Sequence, residues 1–454
     1  MLNPKVQYIL QTLISNGYEA YVVGGAVRDL IMGNEPHDYD IATNARPEQI
    51  KACFEKTVDT GIKHGTVTVM LDGEGFEVTT YRCDGKYSDG RHPDDVTFVD
   101  DIKADLARRD FTINAMAMDI DGNIIDPFGG QEDIADERIR CVGDPAQRFN
   151  EDALRMLRAV RFVAQFDFTL DDDTDREILR SCHDLRKVSA ERIREEFTKM
   201  LMAKYPRYGF IEAYRTHITA MVLPEFDAMK ECEQNNPAHY ADVGIHTLDT
   251  ISFIEVDPIL RWAALLHDSG KPATKYFDEK AGKDRFSGHP EVSAKIAEDV
   301  LTRLKFSNAD KAEIVELVKY HDYVATHDSK IRVFAAQHSR DFIIKLNKLK
   351  IADTAAHVAD KVAKYQADKD YFISKALEFI DDGTAVLPKD LNINGNTLLE
   401  LGFTGPEIGK FYDYVYMDCM AEPKNNTEER LIKRAKKFLE KQRRTEMYKQ
   451  NQEK

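Results

Sequence analysis

The sequence predicts an α+β N-terminal domain followed by a long, mainly α-helical remainder. Three observations carry that expectation. Gly65–Leu71 and Gly75–Tyr81 alternate in polarity on either side of Asp72-Gly73, a hairpin signal in a region of short β-rich runs. From about Arg138 the apolar period becomes helical. The length, 454 residues, exceeds that of one ordinary domain. Boundaries are expected at 1–137 (head), 138–225 (helical neck), 226–366 (a histidine-rich helical domain) and 367–454 (helical tail).

The first element is Tyr21–Gly33, running on to His37-Asp-Tyr-Asp-Ile41. Tyr21–Val23 are β-formers, Ala26–Met32 suit a helix, and Gly33 ends it. Gly24 and Gly25 permit close backbone approach to a ligand and are expected to turn N–H groups outward, as in a phosphate cradle. Asp38 and Asp40, two apart, are expected on one strand face, where a cation would relieve their repulsion. Glu77, on the second hairpin strand, is the candidate third carboxylate. The polar loop Arg82–Pro93, with Arg82, Lys86 and Arg91, suits a flap over a nucleotide.

In Arg108-Arg-Asp-Phe-Thr-Ile-Asn114, Asp110 would cap a helix starting near Thr112 or hold an arginine. Arg109 would offset charge on a triphosphate, and Asn114 would donate to sugar or phosphate. Asp126-Pro-Phe-Gly-Gly130 is a turn at the end of the head and a candidate hinge.

The neck opens on a predicted helix, Asn150–Phe162, with Leu154, Leu157 and Phe162 in its apolar stripe and Arg155, Arg158 and Arg161 every third residue as candidate nucleotide-binding residues. Asp152 and Arg155 are expected as neighbours on its surface. One reading is a simple intrahelical ion pair. The other follows from hydrogen-bond polarity, since a carboxylate accepts and a guanidinium donates. Cytosine and adenine both present an amino donor beside an unprotonated ring nitrogen, and guanine and uracil present the reverse. A fixed Asp152–Arg155 pair would accept C and A. Ser189–Phe197 reads as a capped helix bracing the first through Glu191 and Arg194.

The third region carries His246, His267-Asp268, His289, His321 and Asp353, with His267-Asp268 closing the apolar run Trp262–Leu266 before the breaker Gly270. Imidazoles and carboxylates dispersed over helices can converge on one or two divalent metals. In the tail, the glycines of Asn394–Gly409 fit either plain turns or backbone approach to phosphate. Lys433, Arg434, Lys436, Lys437, Lys441, Arg443 and Arg444 form a terminal basic helix, either a solvated face or an RNA contact.

Composition bounds these readings. With 43% hydrophobic and 31% charged residues and no apolar run of about 18, a soluble chain without a membrane partner is expected. Six scattered cysteines with no CxxC pair suit reduced thiols in the cytoplasm. A net charge of −16 argues weakly against nucleic acid, because local basic patches decide binding.

Together these stretches resemble the bacterial class II tRNA nucleotidyltransferase and poly(A) polymerase family with an HD domain. Gly24-Gly25-Ala-Val-Arg28-Asp29 with Asp38-Tyr-Asp40 is similar to its first motif and Arg109–Asn114 to its second. Asp126–Gly130 resembles its hinge motif, Glu151–Arg155 its base-reading motif and Glu191–Arg194 its last. The resemblance implies a polymerase-β-like mixed sheet in the head. Asp38 and Asp40 would bind two Mg²⁺, Gly24, Gly25 and Arg28 would hold phosphates, and Asp152 with Arg155 would select CTP and ATP for addition to tRNA. It also implies a metal-competent HD domain at His246, His267, Asp268, His289, His321 and Asp353. Full CCA addition is the leading expectation. The full-length Arg82–Pro93 loop disfavours CC-only addition, and A-only addition and poly(A) synthesis are the alternatives. A different class of reading is an HD phosphohydrolase acting on RNA ends or nucleotides.

Overall fold

The computed structural model describes residues 2–85, 96–235 and 241–452. Two compact units emerge: Met1–Ala228 with Val300–Phe306, and Met229–Asp299 with Ser307–Lys454. The expected head and neck fall in the first, and the tail and most of the histidine-rich region in the second, with 226–228 and Val300–Phe306 of that region in the first.

The head is built on a seven-stranded mixed sheet. Its strands include β1 (Ala20–Val23), β2 (Asp40–Thr43), β3 (Thr57–Gly61), β4 (Thr66–Leu71) and β5 (Glu74–Thr80). The order is β3-β4-β5-β2-β1, continued by Ala117–Met118 and Ile124–Ile125. The expected β4–β5 hairpin forms around Asp72-Gly73, with Leu71 opposite Glu74. The β2–β5 pair is parallel, whereas β1–β2 and β4–β5 are antiparallel. Successive residues face opposite sides. Val22 and Ile41 therefore join a core with Val6, Ile9 and Leu13 of the Pro4–Ser15 helix, while Val23 and Ala42 join Tyr81, Ile102 and Leu106. Ile41 is fully buried beside Asp40. An Ile41→Ala change would cost about 2–5 kcal/mol and slacken the strand that aims that carboxylate.

The neck departs from one expectation. Asn150–Phe162 is not one helix: Pro145–Glu151 ends at Asp152, whose φ is −150°, and Leu154–Phe166 begins afresh. The Asp152 carboxylate accepts the Leu154 N–H at 3.1 Å, offering the backbone an alternative to the helical ladder. The apolar stripe is as expected, with Leu154, Leu157 and Phe162 buried. The Ala190–Met202 helix packs against it.

In the second unit, helices Val243–Phe253, Pro258–Leu266, Asn308–Tyr320 and Arg340–Ala355 surround Trp262, which is fully buried. Gly270 does more than break a helix. A Cβ there would lie 2.6 Å from the His289 carbonyl and the Ser293 nitrogen, so only glycine lets this segment press on the helix that starts at His289. In the tail, Leu398, Phe411, Val415, Leu431 and Ala435 form a separate core. Asn394–Gly409 resolves into turns and caps. Asn394 accepts the Thr397 N–H at 2.9 Å, and Gly402 turns the chain at φ +90°. Among the described residues, no helix is long and apolar enough to cross a membrane.

Candidate active site and candidate metal centre

The head carboxylates gather at the start of β2. That strand begins at Asp40, so Asp38 lies in the bend before it and not on a shared strand face. The third carboxylate is where it was expected: Glu77 of β5 is the direct parallel partner of Asp40. Removal of water from around it lifts the Asp40 carboxyl above the usual carboxylate range, and Asp38 adds repulsion against the pull of Arg109. Glu77 is raised for the same reason, with Asp40 and then Asp38 adding to it. Like charges held together in this way favour a bound cation, so the donor set fits divalent metal.

Gly24 sits at the rim of this cluster with φ +72°, and a Cβ there would lie 2.8 Å from Arg109 Nη1. Its N–H does not point outward as expected. It donates to the Met116 carbonyl at 3.3 Å, which ties the turn to the sheet. Arg109 approaches Asp105 Oδ2 at 3.4 Å. Its Nε is buried with no hydrogen-bond partner among the described residues. That donor is the clearest candidate for an anionic ligand beside the carboxylates.

Arg28 is turned inward. It is 6% exposed, and its guanidinium bonds Asp29 and donates to Asn114 Oδ1 at 2.6 Å. Asn114 in turn donates to Asp110 Oδ1 at 3.3 Å, so both ends of its amide are engaged. Asp110 does not cap the short 3₁₀ turn Thr112–Asn114. It takes the alternative role and holds Arg158 through two donors at 2.6 and 2.8 Å. Burial opposes ionisation of Asp110, but Arg158 and Arg155 hold its carboxyl well below the usual range. At Asp126–Gly130 the expected turn forms. Asp126 accepts the Gly130 N–H at 2.7 Å, and a Cβ on Gly130 would strike the Thr112 carbonyl at 2.4 Å.

The surface ion pair expected between Asp152 and Arg155 is absent. Asp152 is gripped by Arg192 at 2.6 and 3.2 Å. Arg155 donates to Glu151 at 2.6 Å and to the Arg108 carbonyl at 3.1 Å. The helix break at Asp152 causes this, because the three-residue spacing places neighbours together only on an unbroken helix. Arg161 bonds Glu196 at 2.6 Å. The bracing expected of Glu191 and Arg194 is therefore done by Arg192 and Glu196. Arg194 instead bonds the Lys305 carbonyl. Glu196 was detectable in principle: it shares the buried face of its helix with Ile193, Phe197 and Met200, where a lone carboxylate calls for a partner. The flap residues Lys86 and Arg91 lie outside the described residues. Arg82 is described, and its Nη1 donates to the His64 carbonyl at 2.6 Å.

In the second unit all six expected ligands converge. His246 Nε2 is 3.1 Å from Asp353 and 3.5 Å from Asp268 Oδ2. His267 Nε2 lies 3.2 Å from Asp268 Oδ2. His289 and His321 approach Asp268 Oδ1 at 3.3 and 3.7 Å. Asp268 therefore faces two histidines with each oxygen. The outer ring nitrogens are fixed by backbone: Nδ1 of His267, His289 and His321 meets the carbonyls of Ala264, Phe286 and Val318 at 2.7, 2.9 and 2.6 Å. If each Nδ1 carries the proton, each Nε2 lone pair points inward, the arrangement that presents imidazole to a metal. Burial pulls the His267 imidazole down, but Asp268 and Asp353 push it up to about 10. His267 Nε2 and Asp268 Oδ2 are buried without a well-angled hydrogen bond. These orphaned atoms, at the centre of a four-histidine, two-aspartate set, fit a divalent ion.

Sequence reasoning missed the cations around this cluster. Lys271 lies 2.7 Å from Asp268 Oδ2, and Lys369 lies 3.2 Å from Asp353 Oδ2. Lys350 is fully buried, and burial together with the Lys369 charge pushes it down to about 7. A cavity of about 580 Å³ opens over Asp268, His289, His321 and Asp353, with Lys271, Lys283 and Arg285 also in its lining.

Comparison with known proteins agrees with this layout. Residues 20–140 match the family model of the poly A polymerase head domain, residues 167–230 a probable RNA and SrmB-binding site of polymerase A, and residues 246–364 the HD domain. A CCA-adding enzyme of Lactobacillus helveticus is 51% identical over 233 residues, covering 51% of this chain and 58% of that protein. One from Levilactobacillus brevis is 46% identical over 250 residues, covering 54% and 63%. The chain thus spans a little over half the length of these curated relatives. The structure of the Bacillus stearothermophilus CCA-adding enzyme in complex with CTP aligns with a TM-score of 0.68 at 29% identity, covering 98% of this chain and 100% of that one. The Thermotoga maritima CCA-adding enzyme complexed with tRNA shares the fold, with a TM-score of 0.55 at 21% identity over 96% and 95% of the two chains.

Proposed function

We propose that this chain, whose residues 20–140 match the family model of the poly A polymerase head domain, adds C, C and A to the 3′ end of tRNA, using CTP and ATP without a nucleic-acid template. The observation that carries the reading is the carboxylate cluster. Asp40 stands beside Glu77 in register, Asp38 raises the proton affinity of both, and the unpartnered Nε of Arg109 lies at the rim.

Asp38 and Asp40, with Glu77 at the edge, are the residues that would hold two Mg²⁺. Bound there, the ions would supply Lewis acidity for in-line attack of the RNA 3′-hydroxyl on the α-phosphate. The rest belongs to side chains. Arg109 offers a buried donor to the phosphates as charge shifts to the leaving pyrophosphate. Asp152 accepts the amino group of C or A, and Arg155 donates to the adjacent ring nitrogen. In the present state both are held by neighbours, Asp152 by Arg192 and Arg155 by Glu151, so base recognition exchanges one set of hydrogen bonds for another. Gly24 and Gly25 serve as the close-approach turn, and Arg158 and Arg161 anchor the reading helix. The Asp126–Gly130 turn is assigned a hinge role, and the exposed lysines and arginines of the last helix contact with RNA. Such an enzyme works on the tRNA pool in the cytoplasm.

End-sequencing of tRNA lacking its terminus, after incubation with CTP alone, ATP alone and both, tests this. CC with CTP alone and CCA with both is the expected result. A on its own after a preformed CC end indicates A-only addition, and a long A tract indicates poly(A) synthesis.

A second reading applies to the HD domain on its own evidence: the closed cluster beneath a cavity with lysine and arginine in its lining suits metal-dependent hydrolysis of phosphate esters. Phosphate release that depends on added divalent metal and disappears in Asp268→Asn is the expected outcome.

A further inference from the structure

We propose that Asp105 is a positioning residue that holds Arg109 off Asp40, so that the head carboxylates stay open to a divalent ion. This rests on the nucleotidyltransferase reading of the head.

Asp105 lies on the Ile102–Ala107 helix and is 1% exposed. Its Oδ1 accepts from Arg108 Nε and Nη2 at 3.1 and 2.8 Å and from the Arg82 backbone N–H at 3.3 Å. Its Oδ2 accepts from Arg109 Nη2 at 3.4 Å. The other arm of the Arg109 fork reaches the glycine turn. Arg109 Nη1 lies 2.8 Å, and Asp40 Oδ2 3.7 Å, from the point that a Gly24 Cβ would occupy. The guanidinium and a candidate metal carboxylate thus border one small space, which the missing side chain of Gly24 leaves clear. Among the described residues the ion pair of Arg109 is nevertheless with Asp105 and not with Asp40.

Three carboxylates attract Arg109: Asp105 most strongly, then Asp40, then Asp110. Asp110 is already occupied. Its Oδ2 takes two donors from Arg158, and its Oδ1 takes the Phe111 N–H and the Asn114 amide. Asp40 is therefore the competitor. A buried guanidinium that loses its counter-charge is costly, so without the Asp105 charge Arg109 turns to Asp40. It would then cover a carboxylate that the ion needs and set a positive charge beside the ion. The main chain does not fix this choice. Arg148 and Arg155 donate to the Ala107 and Arg108 carbonyls at 3.0 and 3.1 Å, which holds the backbone before Arg109 and leaves the direction of its side chain to Asp105. Asp105→Asn keeps the shape, and its amide oxygen can still accept from Arg82 and Arg108, so the variant removes the charge and little else.

The test uses full-length wild type, Asp105→Asn, Arg109→Met and the double variant, each checked for a cooperative thermal transition. Mn²⁺ binding is read from the EPR signal of the free ion, and the share lost in Asp38→Ala with Asp40→Ala is assigned to the head. In Asp105→Asn that share should weaken by about tenfold or more, as on loss of an outer partner. In the double variant it should return, because no guanidinium is left to reach Asp40. Arg109→Met alone should bind much as wild type does. The proposal is overturned if Asp105→Asn binds Mn²⁺ normally, or if binding stays weak in the double variant, which would make Asp105 a support of the fold. It is equally overturned if Arg109→Met tightens binding by about tenfold, since Arg109 would then already compete at Asp40 in wild type. Absence of any head share in wild type rejects the metal reading of the head, and the placement of Arg109 is then decided in metal-free buffer. The stability coupling between Arg109→Met and Asp40→Asn should grow when Asp105→Asn is the background, and coupling of equal size in both backgrounds rejects the proposal.

Discussion

In the head, three carboxylates gather where β2 and β5 lie side by side, each residue with access to solvent. In the HD domain, four imidazoles and two carboxylates close on one another, all six residues buried. Among the described residues, every grouping with its ligand atoms within 4.8 Å of one another lies in the HD domain. Asp40 and Glu77 have raised proton affinity because water is removed from around them and neighbouring carboxylates add repulsion. The HD aspartates sit well below the usual range because Lys271, Lys369 and the imidazoles offset theirs. The expected consequence is that a divalent ion bound at the open set exchanges readily, whereas one bound in the closed set is retained.

The largest effect that could break this comparison comes from the open site. Asp38→Ala with Asp40→Ala should lower nucleotide incorporation by on the order of 10³-fold or more, since it removes the residues that would hold the charge-stabilising ions. HD-dependent phosphate release should continue in the same variant. Incorporation that survives would remove the metal assignment at β2.

Metal retention gives the next largest contrast. After gel filtration in chelator-free buffer, the protein should keep a divalent ion that Asp268→Asn has lost, with affinity falling by at least the roughly 10–100-fold typical of losing an outer partner. A divalent ion at the head carboxylates should wash out of both. An ion retained equally by Asp268→Asn would place the resident site elsewhere.

The two sites also differed in how much of them could be read in the sequence. The six side chains that converge in the HD domain were all named from the sequence, because several histidines in order with His267 and Asp268 adjacent point to a shared centre where a lone helical histidine would not. The lysines that neutralise them were not, since Lys369 comes from a helix sixteen residues beyond Asp353 and looks like any surface lysine. In the head, the sheet, the hairpin and the Asp40–Glu77 neighbourhood followed from alternation and turn chemistry. The neck misled, because Asn150–Phe162 reads as one unbroken period. At the break Asp152 is held by Arg192, forty residues away. Local spacing does not encode such a long-range contact, and Glu191 and Arg194 were chosen over Arg192 and Glu196 for the same reason.

Arg192 therefore offers a sharper cut through the head alone. Arg192→Met frees the Asp152 carboxylate and should relax the choice of C and A over U and G by about tenfold, the worth of one charge-assisted hydrogen bond. Tripolyphosphate binding should hold, because Arg192 contacts the reading residue and not the carboxylate cluster. A uniform fall for all four nucleotides would mean that Arg192 supports folding of the neck and not selection.

The smallest expected effect concerns Asp110, which ties Arg158 of the Leu154–Phe166 helix to Asn114. Its carboxyl is held below the usual range, with Arg158 the strongest attractive partner against the cost of burial. An unfolded aspartate titrates near 4. A carboxyl depressed in the folded state contributes stability that is fully present above that value and is lost as pH falls towards the folded pKa. The Arg158 side chain is 31% exposed, so solvent screens the pair, and Asp110→Asn should cost about 1–2 kcal/mol, not the larger sum for a sealed ion pair. Wild type should unfold some degrees above Asp110→Asn from pH 6 to 8, and the two melting curves should converge as pH drops below about 4. If the gap instead stays constant down to pH 3, the carboxylate charge is not what Asp110 contributes. The contact between Asp110 and Arg158 would then rest on shape and neutral hydrogen bonds alone.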